Sequence, residues 1–338
     1  MKRIDVHTHI MPKELPDFKK KFGYGGFIQL IQKNSCNATM IRDDGTFFRD
    51  ITANSWDANV RIAESSKFDV AMQVLSTIPV FFTYWAKPHD AWEVAKYLND
   101  DIARIVNERP LQFQGLGTVP LQNTDLAIKE LERCMRIGLR GVEIGTNVDG
   151  RNLGHPDLFP FFEACEKLGA SVFVHPWDML GKERMQDYWL AWLVGMPTET
   201  SLAICHLIFS GVFHKLPKLR IAFAHGGGAF PGTIGRIERG FITRPDLVAK
   251  DNTFNPRDYL GHFFLDSLVH DKDMLRYLIS LVGEDKVMLG SDYPFPLGED
   301  APGTLIGSLD VGREVKEKLY TKNALKWLGL KPDFLETP

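Results

Sequence analysis

The chain has 338 residues, a net charge of −3 and a hydrophobic share of 44%. That length holds one large domain or two smaller ones, and the slightly negative charge argues against a nucleic-acid-binding surface. No run of roughly 18 or more apolar residues is present, so no membrane span is expected. Four cysteines without CxxC spacing (Cys36, Cys134, Cys165, Cys205) read as free thiols of a reducing cytoplasm.

In chain order, the first apolar run is RIDVHTHI, from Arg3. A brief run of Ile, Val, Leu or Phe reads as a buried strand, and this one carries His7 and His9 near its end. Residues two apart on a strand point to the same side, with Cα atoms roughly 6.5 Å apart, so both rings can converge on one ion. Asp5 shares that face and is expected to pack or hydrogen-bond. The amino terminus is expected to be retained, because a cleaved leader would remove both histidines. Residues 12–55 break the pattern. GYGGF, an asparagine-rich stretch and a DDG unit before FFRDI predict a small β subdomain with a hairpin at DDG, inserted after strand one.

Alternation then begins. Strands are predicted near DVAMQVLST (from Asp69), FQGLGTV (from Phe113), GVEIGT (from Gly141) and ASVFVH (from Ala170). Between them LAIKELERCMRIG and LFPFFEACEKLG carry apolar residues at helical spacing and stop at Gly138 and Gly169. The segment from Pro176 to Pro197 is rich in Trp and Met and reads as a lid or an interface. Three more strands follow near RIAFAH (from Arg220), FFLDSLV (from Phe263) and KVMLGSD (from Lys286). Strands alternating with helices imply parallel β-α units. Eight of them predict a closed (β/α)₈ barrel, with residues 1–338 forming one α/β domain. A doubly wound sheet is the alternative.

Active sites of such barrels lie at the carboxyl ends of the strands. His7, His9, His175, His225 and Asp292 fall there. Imidazoles and a carboxylate suit zinc or a similar divalent ion, and catalytic sites keep one position open for water. Each residue alone has a plainer reading: HxH is a weak pattern, His175 could be a core histidine, and Asp292 could cap a turn. The combination points to a metal. His225 opens HGGG, whose glycines allow close backbone approach to a ligand. Its imidazole suits general-base work, and direct ligation is the competing role. HGGG also occurs in lipases, but no GxSxG follows here. Asp266 and His270, near the end of strand seven, could support the ligands. His89, His155, His206, His214 and His262 read as structural or surface residues.

The stretches KKFGYGG, STIPVFFTYWAKP, HPWDM, WLVGMPTET, FAHGGGAFP and GSDYPFPLGE resemble the amidohydrolase superfamily, and within it decarboxylases, along nearly the whole chain. The resemblance implies a distorted TIM barrel with a small insertion. It implies one zinc ion, no organic cofactor, ligation by His7, His9, His175 and Asp292, and a catalytic His225 beside a zinc-bound water. It also implies a small anionic dicarboxylate substrate held by Arg49 and by Arg236, the latter reaching the site from the neighbouring subunit of a homodimer. From the residues alone both arginines would be surface groups. Trp192, Met179 and Phe295 match pocket-lining positions. Many members carry a carboxylated lysine on strand four that bridges two metals, and GVEIGTNV has none, which favours a single ion. Asp43 stands where relatives can carry lysine, and an acid at the pocket rim would oppose an anionic substrate. The expected activity is non-oxidative, metal-dependent decarboxylation. The alternatives are an aromatic-acid decarboxylase, a lactonase-type hydrolase and a non-catalytic metal-binding protein.

Overall fold

The computed structural model describes residues 1–336. Eight parallel strands form one sheet: β1 Arg3–Ile10, β2 Val70–Thr77, β3 Phe113–Gly117, β4 Gly141–Gly145, β5 Ser171–His175, β6 Arg220–Phe223, β7 Phe264–Asp266 and β8 Val287–Met288. Their order in the sheet is their order in the chain. The chain leaving β8 returns to β1, where Val6 N–H donates to Leu289 O at 2.9 Å and His9 N–H donates to Tyr293 O at 2.8 Å. The ring closes on itself, and the doubly wound alternative, which would leave two open edges, is set aside.

A helix follows each strand: α1 Ala58–Ser65, α2 Pro88–Glu108, α3 Thr124–Arg136, α4 Phe159–Leu168, α5 Met196–Phe209, α6 Phe230–Thr243, α7 Lys272–Val282 and α8 Asn323–Leu328. The local chemistry matches. Asn123 caps α3 by accepting from Leu126 N–H at 3.0 Å, and α3 buries Ala127, Leu131 and Cys134 along one stripe. Gly138 and Gly169 take φ of +100° and +60° beyond α3 and α4, the left-handed turn that ends a helix.

The barrel interior changes character along its axis. At the amino-terminal end Ile4, Val6, Met72, Val74, Leu116, Phe173 and Met288 form an apolar plug, closed below by Trp327 of α8. Full burial of a side chain such as Phe173 stabilises by about 2–3 kcal/mol, so this end is a rigid floor. Toward the carboxyl ends the inward side chains become polar.

Residues 28–52 form a separate antiparallel sheet of Ile28–Gln32, Asn37–Arg42 and Phe47–Thr52. Arg42 N–H donates to Thr46 O across the DDG turn. The sheet buries Ile28, Met40 and Ile51 against Phe18, Trp56 and α2. Arg49 pairs with Met40, and paired residues share a face, so the face that buries Met40 turns Arg49 toward the barrel mouth. Arg61 of α1 ties the insertion to the barrel, donating to His9 O at 2.7 Å, Asn54 O at 2.8 Å and Gln73 Oε1 at 3.0 Å.

The Trp- and Met-rich segment crosses the mouth and passes through a widened turn, Ala191–Gly195, into α5. The run Ala191–Phe209 is long and apolar enough, by length and composition, to cross a membrane. Its α5 part instead buries Ala203, Ile204, Leu207 and Ile208 in the barrel's outer layer. All four cysteines are unpaired.

Candidate active site

Strand ends deliver the polar cluster. His7 and His9 lie on β1 and His175 ends β5, while His225 and Asp292 stand just beyond β6 and β8. The His7 ring centroid lies 5.2, 5.1 and 5.2 Å from those of His9, His175 and His225. Asp292 Oδ1 lies 3.0 Å from His9 Nε2 and 3.4 Å from His7 Nε2, while its Oδ2 faces His225 Nε2 at 3.8 Å. His225 and Asp292 hold left-handed backbones, φ 54° and 57°. Such strain in non-glycine residues gathers at functional sites.

The donor atoms test whether a metal fits. His7 Nε2, His9 Nε2, His175 Nε2 and Asp292 Oδ1 are buried without a hydrogen-bond partner, although buried polar atoms are normally paired. The opposite ring nitrogens are engaged: His7 Nδ1 with Asp266 Oδ2 at 2.7 Å, His9 Nδ1 with Thr77 O at 2.8 Å and His175 Nδ1 with Pro176 O at 3.0 Å. Donation from Nδ1 leaves a lone pair on each Nε2, directed at its neighbours. Three imidazole nitrogens and one carboxylate oxygen suit a divalent first-row ion. Ligand atoms of His7, His175, His225 and Asp292 all lie within 4.8 Å of one another, so distance alone admits His225 as well.

Electrostatics point the same way. Burial opposes charge on Asp292, but His7, His225 and His9 outweigh it and hold its carboxyl well below the usual range. Burial likewise opposes charge on His7, yet Asp292 and Asp266 raise it to about 10. Burial wins at His9 and His175 and lowers both. Asp292 thus favours positive charge on His7, while burial opposes charge on His9 and His175.

Exposure separates His225 from the others. Its side chain is 18% exposed, against 0% for His7 and His9, and it lines a cavity of about 430 Å³ together with His175 and Asp292. Arg49, Trp192 and Phe295 line the same cavity. The Arg49 guanidinium lies 4.3 Å from the centroid of the Phe295 ring, and that ring rests against His9. Burial draws the Arg49 pKa down, with Asp292 opposing, and an arginine stays charged under such a shift.

Met179 does not line the cavity. It is buried, and a Cβ built on Gly195 would come within 3.0 Å of its Cβ and Cγ, so the turn at Ala191–Gly195 packs closely on it. Arg236 is exposed on α6 and outside the cavity of its own chain. Asp43 is not among the residues that line the cavity, and its Oδ2 accepts from Gly26 and Phe27 N–H.

Two contributors were undervalued by the sequence. Asp266 binds His7 and also accepts from the N–H groups of His225, Gly226 and Leu268. Glu143, inward on β4, is buried with both oxygens unpartnered, 3.7 Å from His9 Nδ1. Burial raises its pKa well above the usual range. Its signal was an acid between Val142 and Ile144 in an apolar run.

A closed (β/α)₈ barrel with HxH, His, His and Asp gathered at one mouth defines a metal-dependent class of enzyme. The chain belongs to the amidohydrolase family, whose model matches residues 4–330. The 2-amino-3-carboxymuconate-6-semialdehyde decarboxylase of Dictyostelium discoideum is 58% identical over 333 residues, covering 98% of this chain and 92% of that protein. The protein of the same name from Caenorhabditis elegans is 37% identical, covering 99% and 96%. The crystal structure of 5-carboxyvanillate decarboxylase from Novosphingobium aromaticivorans, complexed with manganese and 4-hydroxy-3-methoxy-5-nitrobenzoic acid, matches with a TM-score of 0.80 at 22% identity, covering 97% and 96%. At that identity the likeness shows the fold.

Proposed function

We propose that this chain removes CO₂ from 2-amino-3-carboxymuconate 6-semialdehyde, leaving 2-aminomuconate 6-semialdehyde, without oxidation. The observation that carries the reading is the 58% identity over nearly the full length of the Dictyostelium decarboxylase. The cavity supports it, with the His225 imidazole and the Arg49 guanidinium lining it beside a buried donor set.

In this reading His7, His9, His175 and Asp292 hold one zinc ion. Three imidazoles to one carboxylate oxygen favour zinc over manganese, which prefers more oxygen donors. When bound, such an ion polarises oxygen ligands and lowers the pKa of a coordinated water to about 7.

The chain's own residues do the rest. Direct loss of CO₂ from an sp² carbon strands its electrons outside the π system, so that carbon must first become tetrahedral. His225 takes a proton from the attacking water at Nε2, its nitrogen toward Asp292. Hydroxide adds to the amino-bearing carbon, and the adjacent carboxylated carbon takes up a proton. The C–CO₂ bond then breaks, its electrons form the new double bond, and hydroxide leaves. Arg49 fixes a substrate carboxylate over the Phe295 ring and lowers the cost of orientation. Arg236, exposed on its own chain, reaches the cavity of a neighbouring subunit in a homodimer. The setting is tryptophan degradation through kynurenine in the cytoplasm, where the substrate otherwise cyclises spontaneously to quinolinate.

The test is to generate the semialdehyde enzymatically, add the zinc-loaded protein, and follow absorbance and released CO₂. Decay faster than spontaneous cyclisation, with one CO₂ per substrate lost, is expected. Acid release from an ester or lactone without gas would replace this reading with a hydrolase.

A further inference from the structure

We propose that His270 donates a hydrogen bond to the aldehyde oxygen of the substrate and stabilises the charge that gathers there during addition. The inference rests on the functional reading above. Five ionisable side chains line the cavity: Arg49, His175, His225, His270 and Asp292. His175 and Asp292 belong to the donor set, His225 serves the water, and Arg49 takes a carboxylate. His270 is the remaining one, and the aldehyde is the polar end of the substrate remote from the reacting carbons.

The fold places this imidazole with care. His270 stands on the loop after β7, at the catalytic end of the barrel. That loop is pinned by Leu268 N–H donating to Asp266 Oδ1 at 3.1 Å and by Val269 N–H donating to Ser267 O at 3.0 Å. Asp271, the next residue, caps α7 by accepting from Met274 N–H at 2.7 Å. His270 itself holds φ 56°, a left-handed backbone that costs a non-glycine residue about 1–2 kcal/mol. Its side chain has no hydrogen bond, ion pair or ring contact among the described residues, so nothing within the fold uses what that strain positions.

The chemistry gives it a task. The amino-bearing carbon is conjugated through two double bonds to the aldehyde. When hydroxide adds there, the C2=C3 pair shifts toward C4, the C4=C5 pair toward C6, and the carbonyl pair onto oxygen. The negative charge arrives on the aldehyde oxygen, and the pair returns to C3 when that carbon takes up its proton. A donor preorganised at that oxygen lowers the barrier to addition. Three tryptophans also line the cavity, but indole is a neutral donor that cannot become cationic, whereas imidazole can.

The experiment uses full-length, metal-loaded protein and two ligands that differ only at one end, 6-oxohexa-2,4-dienoate and hexa-2,4-dienoate, as competitive inhibitors. His270→Gly keeps the left-handed backbone at no steric cost, and His270→Asn keeps that backbone and an N–H donor. The unsubstituted protein is expected to favour the 6-oxo compound about tenfold, the value of one hydrogen bond to a charged or polarised group. His270→Gly is expected to lose that preference and about tenfold or more in kcat with unchanged metal content, and His270→Asn to retain part of both. Equal preference in the unsubstituted protein and in both variants would overturn the assignment, even with decarboxylation intact. Failure of the unsubstituted protein to decarboxylate would instead overturn the functional reading.

Discussion

Asp266 Oδ2 lies 2.7 Å from His7 Nδ1 and, at 2.9 Å, accepts the backbone N–H of His225. One carboxylate oxygen thus orients a ligand of the donor set and the loop that carries the imidazole poised over the cavity. Its second oxygen takes the N–H groups of Gly226 and Leu268, so the whole mouth between β6 and β7 hangs on one buried acid.

Asp266→Asn keeps the shape and removes the charge. The amide oxygen can still accept from the pair of donors on one side, but its N–H₂ group then meets the other pair, and the tautomer of His7 is no longer enforced. Loss of such a partner costs about 10–100-fold in metal affinity. Competition against a chelator measures it, and turnover at saturating metal is expected to fall as well because His225 loses its backbone anchor. Unchanged affinity and turnover would remove Asp266 from the site.

His7→Ala and His225→Ala separate ligand from reacting group. His7 is wholly buried and one of the unpartnered donors, so its loss is expected to strip the metal, seen as metal content well below one per chain. His225 shares the cluster by distance, but its side chain reaches the cavity. His225→Ala is expected to keep its metal and lose at least about 100-fold in kcat, the usual value of a positioned general base. Metal loss in both variants would make His225 a ligand.

Much of this site was legible because the barrel writes it locally. Each strand is a short apolar run, and a polar residue at its end is visible without coordinates, as with VFVH up to His175 or VMLGSD up to Asp292. Partnerships were not legible. His7 and Asp266 are 259 residues apart, and Arg61 and His9 are 52 apart. Such pairs depend on barrel closure and on where the insertion docks. The packing role of the HGGG glycines was not legible either. A Cβ on Gly226 would come within 2.4 Å of Val269 Cγ1, and one on Gly228 within 2.3 Å of Pro197 O. They let the loop pack on its neighbours, and of the three only Gly228 lines the cavity.

Arg49→Lys is expected to raise KM about tenfold or more while changing kcat less. Lysine keeps the charge but loses the planar fork that grips a carboxylate at two points and stacks on Phe295. Phe295→Leu removes only the stacking surface, so its effect on KM is expected to be smaller. Steady-state kinetics on the two variants decide the matter, and an unchanged KM in Arg49→Lys would take the arginine out of substrate binding.

Arg61→Met is expected to destabilise the fold by about 3–5 kcal/mol, the cost of breaking a buried ionic or hydrogen-bonded group from one side. Arg61 is fully buried, and burial lowers its pKa to about 10. Three acceptors depend on it, among them the carbonyl of His9 on β1 and the carbonyl of Asn54 at the end of the insertion. Methionine fills comparable volume but leaves those acceptors unpaired, each at about 1–3 kcal/mol. Its guanidinium also faces the Tyr293 ring at 4.7 Å, next to Asp292, so the damage reaches the donor set. Urea denaturation of the metal-free protein isolates the folding term, and metal titration reads the second effect. Arg61→Lys places one compact charge where three separated acceptors need a fork, so it is expected to recover only part of the stability. A stability change below about 1 kcal/mol in Arg61→Met would mean that the insertion is held to the barrel by its apolar contacts alone.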